Sequence, residues 1–288
     1  MNLASAPQVK KLLAEHRLHP KKRLGQNFLI DRNTLDKIAD ASEVASGSNV
    51  LEIGPGLGTV TRELVLRGAK VVCVEADKDL RPILEETLAG DPNAELVLED
   101  FLKIDLPEFL RTRADGKWVV VGNLPYYITS PIIAKLLDSR HLISRILLMV
   151  QREVADRLRA EPGSGDYGSL TVFVRYYCDI DSVMRVSRNV FYPVPDVDSE
   201  FVRLTVLERP RFEARNEGLF FGIVRSAFGK RRKTLLNSLG TSDELGWGKD
   251  RARQVLEAAG IDAERRGETL SIEEFVELAN VAAESEEQ

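Results

Sequence analysis

Long apolar runs, cysteine and histidine are scarce in this chain of 288 residues, and each scarcity removes a class of function. No stretch approaches the roughly 20 consecutive apolar residues needed to cross a bilayer. The N-terminus, broken by Lys10, Lys11, Glu15, His16 and Arg17, has no apolar core of the secretory kind. No membrane association and a cytoplasmic location are therefore expected. The two cysteines, Cys73 and Cys178, lie far apart with no second thiol or imidazole at ligand spacing. They read as small core residues rather than as a disulfide or a metal site. With three histidines in all, two of them at His16 and His19, no metal centre is expected. Positive charge is not in excess either. The chain has 40 Lys and Arg against 45 Asp and Glu, a formal charge of −5, which excludes a generic nucleic-acid coat. Internal repeats are absent, and nothing suggests an obligate oligomer, so a monomer is expected.

What is present is a globular composition, 43% hydrophobic, with a marked rhythm. From residue 49 to about 151, short apolar runs alternate with amphipathic stretches. Strands are predicted at 50–53, 71–74, 96–98, 118–121 and 146–150. Helices are predicted at 59–67, closed by Gly68, at 80–88, ended by Gly90, from 132, and at 152–159. This alternation implies an α/β fold, a parallel Rossmann-like sheet with helices on both faces. A late strand pair, 183–186 and 201–207, can close the sheet. After Pro210, apolar residues recur at helical spacing (Leu219, Phe220, Ile223, Val224, Ala227, Phe228), and further helices follow. Three regions are expected: 1–48, 49–209 and a small all-α domain at 210–288.

The chemistry gathers at the carboxyl ends of the predicted strands. Asn123-Leu124-Pro125-Tyr126 follows the apolar run of the fourth strand. Asn123 offers a side-chain carbonyl, and Pro125 biases Leu124 to an extended backbone that can turn the Leu124 carbonyl the same way. Tyr126 adds a flat ring. Two acceptors and a stacking face suit a planar ring bearing an amino group. A strand-end tyrosine is more commonly a core aromatic; the Asn-x-Pro-Tyr context favours stacking. Gly54-Pro55-Gly56-Leu57-Gly58 opens the helix after the first strand, where glycine lets backbone approach a ligand. Its G-x-G-x-G spacing departs from the G-x-G-x-x-G of dinucleotide binders. Glu75 ends the second strand about 20 residues on, where an acid accepts hydrogen bonds from ribose hydroxyls. Asp100 ends the third and can accept from an adenine amino group. One such acid is most often a helix cap, but three features on successive strand ends point to a nucleoside site.

Two basic clusters stand on the acidic background. Lys10, Lys11, Arg17, Lys21, Lys22 and Arg23 face only Glu15 in the first 25 residues. Arg225 and Lys230-Arg231-Arg232-Lys233 lie in a stretch free of acids between residues 219 and 242. Each alone reads equally as a solvated face; together with the strand-end site they suit a polyanion.

These features jointly resemble an S-adenosylmethionine-dependent amino-methyltransferase, and further motifs narrow the match. Leu24-Gly25-Gln26-Asn27-Phe28-Leu29 with Asp31 resembles the N-terminal cofactor lid of the ribosomal RNA adenine dimethylases. The Phe191-Tyr192-Pro193-Val194-Pro195-Asp196-Val197-Asp198-Ser199 segment resembles that family's F-x-P-x-P-x-V-x-S motif. Residues 228–235 also match. The resemblance spans roughly residues 22–282 and implies dimethylation of two adjacent adenosines near the 3′ end of small-subunit ribosomal RNA, within a 30S precursor particle. It assigns Asn27 and Leu29 to the lid and methionine end of S-adenosyl-L-methionine. Gly54, with Gly56 and Gly58, falls in the cofactor loop, Glu75 at the ribose and Asp100 at the cofactor adenine. Asn123 falls at both cofactor and target base. Phe191 is a candidate for the second face of that base, with core packing an equal alternative. Arg23 and residues Lys230, Arg231, Arg232 and Lys233 are expected at RNA. The acidic net charge departs from the basic balance common in the family. Three competing readings stay open: a nicotinamide-dependent oxidoreductase, a large-subunit ribosomal RNA methyltransferase of the macrolide-resistance type, and a ribosome-assembly factor that keeps the fold.

Overall fold

The apolar runs become strands. In chain order these are β1 (Phe28–Leu29), β2 (Asn49–Ile53), β3 (Lys70–Glu75), β4 (Ala94–Leu98), β5 (Trp118–Asn123), β6 (Ile143–Gln151), β7 (Cys178–Val186), β8 (Phe191–Tyr192) and β9 (Ser199–Val206). The computed structural model describes residues 3–125, 128–230 and 232–285. Seven strands make one sheet in the order β4-β3-β2-β5-β6-β9-β7. Pairs β3–β4, β2–β3, β2–β5 and β5–β6 are parallel, and β6–β9 is antiparallel. The chain runs outward from β2 through β3 to β4, then returns to place β5 on the other side of β2. The crevice beyond β2 and β5 is thus a topological switch point, where open α/β sheets bind ligands.

Helices cover the sheet because strands buried on both faces need two apolar layers. They are α1 (Ala6–Glu15), α2 (Arg32–Ser42), α3 (Thr59–Leu66), α4 (Arg81–Thr87), α5 (Leu106–Arg111) and α6 (Thr129–Asp138); α7 (Arg152–Leu158) and α8 (Ser169–Tyr177) follow β6 in the chain. Capping fixes several starts: Asp31 accepts from Thr34 N and Asp105 from Glu108 N. Val50, Leu51, Val120, Ile146 and Leu147 have no exposed surface. Truncating Leu51 to Ala removes a fully buried side chain at the sheet centre and costs about 2–5 kcal/mol.

Two compact units emerge from the contacts. One runs through residue 155 and resumes over 179–206; the other joins 156–178 to the chain from 207 onward. Residues 3–48 group with the first unit. Leu3, Val9, Leu12 and Leu13, on and beside α1, are buried in one cluster with Phe28, Leu57, Leu80, Ile83 and Leu84. The division also differs from a single cut near residue 209, because α8 groups with the C-terminal helices. Its sequence, SLTVFVRYY, is rich in β-branched and aromatic residues, which blunts any helical signature. β7 extends further toward the N-terminus than expected, from Cys178. Asp179, Asp181 and Ser182 break its apolar pattern, as suits an edge strand.

The second unit contains α9 (Glu217–Gly229), α10 (Leu235–Gly240), α11 (Gly248–Ala258) and α12 (Ile272–Glu284). Ser271 and Glu274 form a capping box at the start of α12. Tyr176, Tyr177, Phe220 and Phe221 form a cluster of edge and tilted rings with centroids 4.7–5.7 Å apart. No helix among the described residues is long and apolar enough to cross a membrane.

Candidate active site

Parallel register brings four sequence-distant groups to one edge of the sheet. Asp100 lies just past β4, Glu75 ends β3, Gly54 follows β2 and Asn123 ends β5. With neighbouring strands about 4.8 Å apart, Glu75 and Asn123 flank the β2 position across about 10 Å. All four line one cleft of about 1200 Å³, counting its open mouth. Asn27, Leu29, Gly56, Pro125 and Phe191 line the same cleft.

The glycine loop is built for close approach. Gly54 N donates to Val74 O at 2.9 Å and Gly58 N to Pro55 O at 2.9 Å, closing a tight turn into α3. Gly56 has φ +59°, and a Cβ there would sit 3.1 Å from the Phe28 ring. The segment at residues 24–29 thus rests directly on the loop, with no room for a side chain between them.

Glu75 is buried, with one oxygen accepting from Asp77 N at 2.8 Å and the other from Gly56 N at 3.3 Å. Burial pushes its carboxyl up to about 7 against the pull of those backbone donors. A second buried acid, Glu52, escaped the sequence reading. It accepts from Thr61 Oγ1 at 2.6 Å, beside Cys73, and burial pushes it up to about 7 as well. Its signal was visible: a lone acid inside the apolar strand Val50-Leu51-Glu52-Ile53. The Asp100 side chain caps its own turn, accepting from Leu102 N at 3.0 Å.

At Asn123 the amide has a defined orientation. It meets the Asn27 carbonyl oxygen at 3.0 Å. A carbonyl can only accept, so the end facing it must be Nδ2. Oδ1 therefore faces away from the Asn27 carbonyl. The Leu124 side chain is buried, with Cδ2 2.9 Å from the point where a Cβ on Gly122 would sit. Gly122 is a second residue that sequence reasoning passed over, and it seats Leu124. The Pro125 carbonyl accepts from Ile128 N at 3.2 Å, leading into α6. Tyr126, expected to stack on the base, lies outside the described residues.

The segment at residues 24–29 is pinned on both sides. Phe28 and Leu29 pair antiparallel with Tyr192 and Phe191, joining two motifs that are far apart in the chain. Ile30 N extends the ladder to Val190 O at 2.9 Å. Phe191 is 2% exposed, packed with Leu29, Met149 and Phe201, while still lining the cleft. Gly25, at φ +59°, lies against Pro125, 3.2 Å from where its Cβ would be.

The basic clusters are smaller than the sequence suggested. Lys21 is committed to Asp77 and Asp79, at 2.6 and 2.5 Å. Arg225 is committed to Glu244, which enters from beyond the acid-free stretch. Lys230 Nζ donates to Thr241 Oγ1 at 2.7 Å. Arg23, Arg232 and Lys233 are exposed, and Arg231 lies outside the described residues. Among the described residues there is no group of three or more His, Cys, Asp or Glu able to hold a metal ion.

A model of the ribosomal RNA adenine dimethylase family matches residues 17–283. The chain is 46% identical over 280 residues to the ribosomal RNA small subunit methyltransferase A of Clostridioides difficile (strain 630), covering 97% of this chain and 96% of that one. Among solved structures, a dimethyladenosine transferase from Plasmodium falciparum superposes with TM-score 0.73 at 29% identity, over 87% of this chain and 95% of that one. The 23S rRNA methyltransferase ErmE superposes with TM-score 0.66 at 31% identity, over 89% of this chain and all (100%) of that one.

Proposed function

This chain belongs to the ribosomal RNA adenine dimethylase family, and on that premise we propose that it dimethylates the exocyclic amines of two adjacent adenosines near the 3′ end of small-subunit ribosomal RNA. It acts as a monomer on a 30S precursor particle in the cytoplasm. The observation that carries the reading is the orientation of Asn123. With Nδ2 held by the Asn27 carbonyl at 3.0 Å, Oδ1 is left as an acceptor at the end of β5.

The residues of the cleft fit the family's methyl donor, S-adenosyl-L-methionine. The loop at Gly54, Gly56 and Gly58 presents backbone without side chains, and the buried Glu75 carboxyl beside it suits a ribose diol. Asp100 suits an adenine amino group, and Asn27 and Leu29 cover the methionine end. When bound, the donor supplies a sulfonium-activated methyl group. Everything else falls to the chain.

The exocyclic nitrogen of adenine is a weak nucleophile, because its lone pair is delocalised into the ring. Asn123 Oδ1 and the Leu124 carbonyl accept its two N–H groups and turn the lone pair toward the methyl. Pro125 holds Leu124 in the extended backbone that this needs. Orientation of this kind is worth several kcal/mol. The two carbonyl dipoles also stabilise positive charge as it develops on nitrogen, the counterpart of an oxyanion hole. The product ammonium is acidic and loses its proton to water, so no general base is required. Reaching the site takes the base out of its stack. Tyr126 offers a stacking face worth about 1–3 kcal/mol, and Phe191 lines the cleft. Arg23 and Lys230, Arg231, Arg232 and Lys233 contact phosphates.

A second reading, methylation of large-subunit RNA, draws on the likeness to ErmE. It is disfavoured because the small-subunit relative is more similar, 46% against 31% identical. The deciding experiment incubates the protein and S-adenosyl-L-methionine with each ribosomal subunit from cells lacking the gene, then maps the RNA by mass spectrometry. Two neighbouring dimethyladenosines near the small-subunit 3′ end are expected. Modification of large-subunit RNA alone, or of neither, would overturn the proposal.

A further inference from the structure

A polar network ties the lid to the end of β3, and the mechanism above does not use it. Lys21 Nζ lies 2.6 Å from Asp77 Oδ1 and 2.5 Å from Asp79 Oδ2. Gln26 Nε2 donates to Asp77 Oδ2 at 2.7 Å, and Gln26 Oε1 accepts from Lys21 N at 2.8 Å. Both oxygens of Asp77 are therefore engaged by the lid. Asp77 is only 5% exposed, and burying a carboxylate is costly unless it is paired. Burial alone would raise its carboxyl; the bonds from Lys21 and Gln26 outweigh this and hold it below the usual carboxylate range.

The network continues in both directions. On the sheet side, Asp77 N donates to Glu75 Oε1 at 2.8 Å. On the lid side, Gln26 precedes Asn27, whose carbonyl receives Asn123 Nδ2 at 3.0 Å. That carbonyl sits between two anchors. Downstream is the Phe28–Tyr192 pairing, and upstream is the hold of Asp77 on Lys21 and Gln26. Gly25, at φ +59°, turns the chain between Lys21 and Gln26.

We propose that Asp77 is a positioning residue for the methyl-transfer step: by clamping Lys21 and Gln26 it fixes the Asn27 carbonyl, which turns the Asn123 amide and couples that setting to Glu75. The inference rests on the reading of Asn123 as the contact to the target amine. Its physical basis is that reacting groups misplaced by about 1 Å can lose about a hundredfold in rate. Asp77 touches neither reacting atom. It acts through the lid, so its loss should change the chemical step more than ligand affinity.

The test uses the full chain with Asp77→Asn, Gln26→Ala, Lys21→Ala and Lys21→Arg. Three quantities are measured: single-turnover methylation of unmethylated small subunits at saturating donor, affinity for S-adenosylhomocysteine, and hydrogen–deuterium exchange of residues 24–28 without ligand. Asp77→Asn and Gln26→Ala should each slow single turnover about 10- to 100-fold while weakening S-adenosylhomocysteine far less, and both should speed exchange at 24–28. The double variant should be little worse than either single, because members of one chain of contacts are not additive. Lys21→Arg should keep most of the rate that Lys21→Ala loses.

Wild-type single turnover in Asp77→Asn and Gln26→Ala, or a double variant equal to the product of the singles, would overturn the proposal. If Asp77→Asn does not fold, Gln26→Ala carries the test, since it leaves the Lys21–Asp77 pair in place. If the wild-type protein itself fails to methylate small subunits, the functional reading fails instead. Exchange at 24–28 then still judges the clamp, and an unchanged profile in both variants overturns it.

Discussion

Asn123→Ala separates the two jobs of a single amide. The substitution removes Nδ2, which holds the lid through Asn27 O at 3.0 Å, and Oδ1, the proposed acceptor for the target amine. The lid bond is a neutral, partly buried hydrogen bond, worth about 0.5–1.5 kcal/mol net, or roughly 2- to 12-fold in the affinity of a ligand beneath the lid. The acceptor faces charge that develops only in the transition state. Removing one preorganised dipole of that kind costs about 2.7–4 kcal/mol, or about 10²–10³ in rate. The expected result is a single-turnover rate down by at least about a hundredfold. Affinity for S-adenosylhomocysteine should fall by no more than about tenfold. Quench-flow methylation at saturating donor and RNA gives the first number and titration calorimetry the second, with thermal unfolding to check that the end of β5 still folds. Asn123→Asp sharpens the comparison. It keeps an acceptor but puts a carboxylate oxygen against the Asn27 carbonyl, so it should weaken S-adenosylhomocysteine at least as much as alanine does. Equal losses of rate and affinity in Asn123→Ala would mean that the amide serves only the lid, and would refute the mechanism.

Glu52→Gln should flatten the pH dependence of stability. Burial raises this carboxyl from 4.5 to about 7, so the folded state holds its proton more tightly than the unfolded state. Stability therefore falls as pH rises from about 4.5 and levels off above about 7, with a penalty of up to about 3 kcal/mol. Glutamine can still accept from Thr61, so the variant's stability relative to the wild type should be greater at pH 8 than at pH 5, with the similar slope that Glu75 contributes remaining; denaturant midpoints measured across that range give the answer, and an unaltered slope would contradict it. In the second unit, neutralising Arg232 and Lys233 together should weaken binding to small-subunit RNA and reduce the slope of log affinity against log salt by about 1.4–1.8. Arg225→Gln should leave that slope near its original value, since its guanidinium already serves Glu244; filter binding across a salt series distinguishes the two.

Much of the site was legible in the sequence, because strand ends announce themselves. A buried parallel strand is a short apolar run, and the residue after it lies at the carboxyl edge of the sheet. Gly54, Glu75, Asp100 and Asn123 could therefore be placed on one edge before their distances were known. Glu52 was equally visible but carried no instruction: an acid inside an apolar run signals a buried carboxyl without saying what faces it. Lys21 and Arg225 misled the charge count for a different reason. Their acidic partners, Asp77 and Glu244, lie 56 and 19 residues away, and only the fold brings them together. Local propensity carried no signal at α8, where β-branched and aromatic residues form a helix whose buried face joins the ring cluster around Phe220.

The alternation of strand and helix, the residue at each strand end, and the family are all readable in the sequence. These follow from local periodicity and from short contiguous motifs, which need no knowledge of distant contacts. Only the folded chain shows that residues 3–48 pack with the sheet, and that Phe28 and Leu29 pair with Tyr192 and Phe191. It alone decided that Asn27 takes the nitrogen of Asn123 and leaves the oxygen facing away. The direction of an amide depends on what meets it, and here the partner is a backbone carbonyl 96 residues away in the chain.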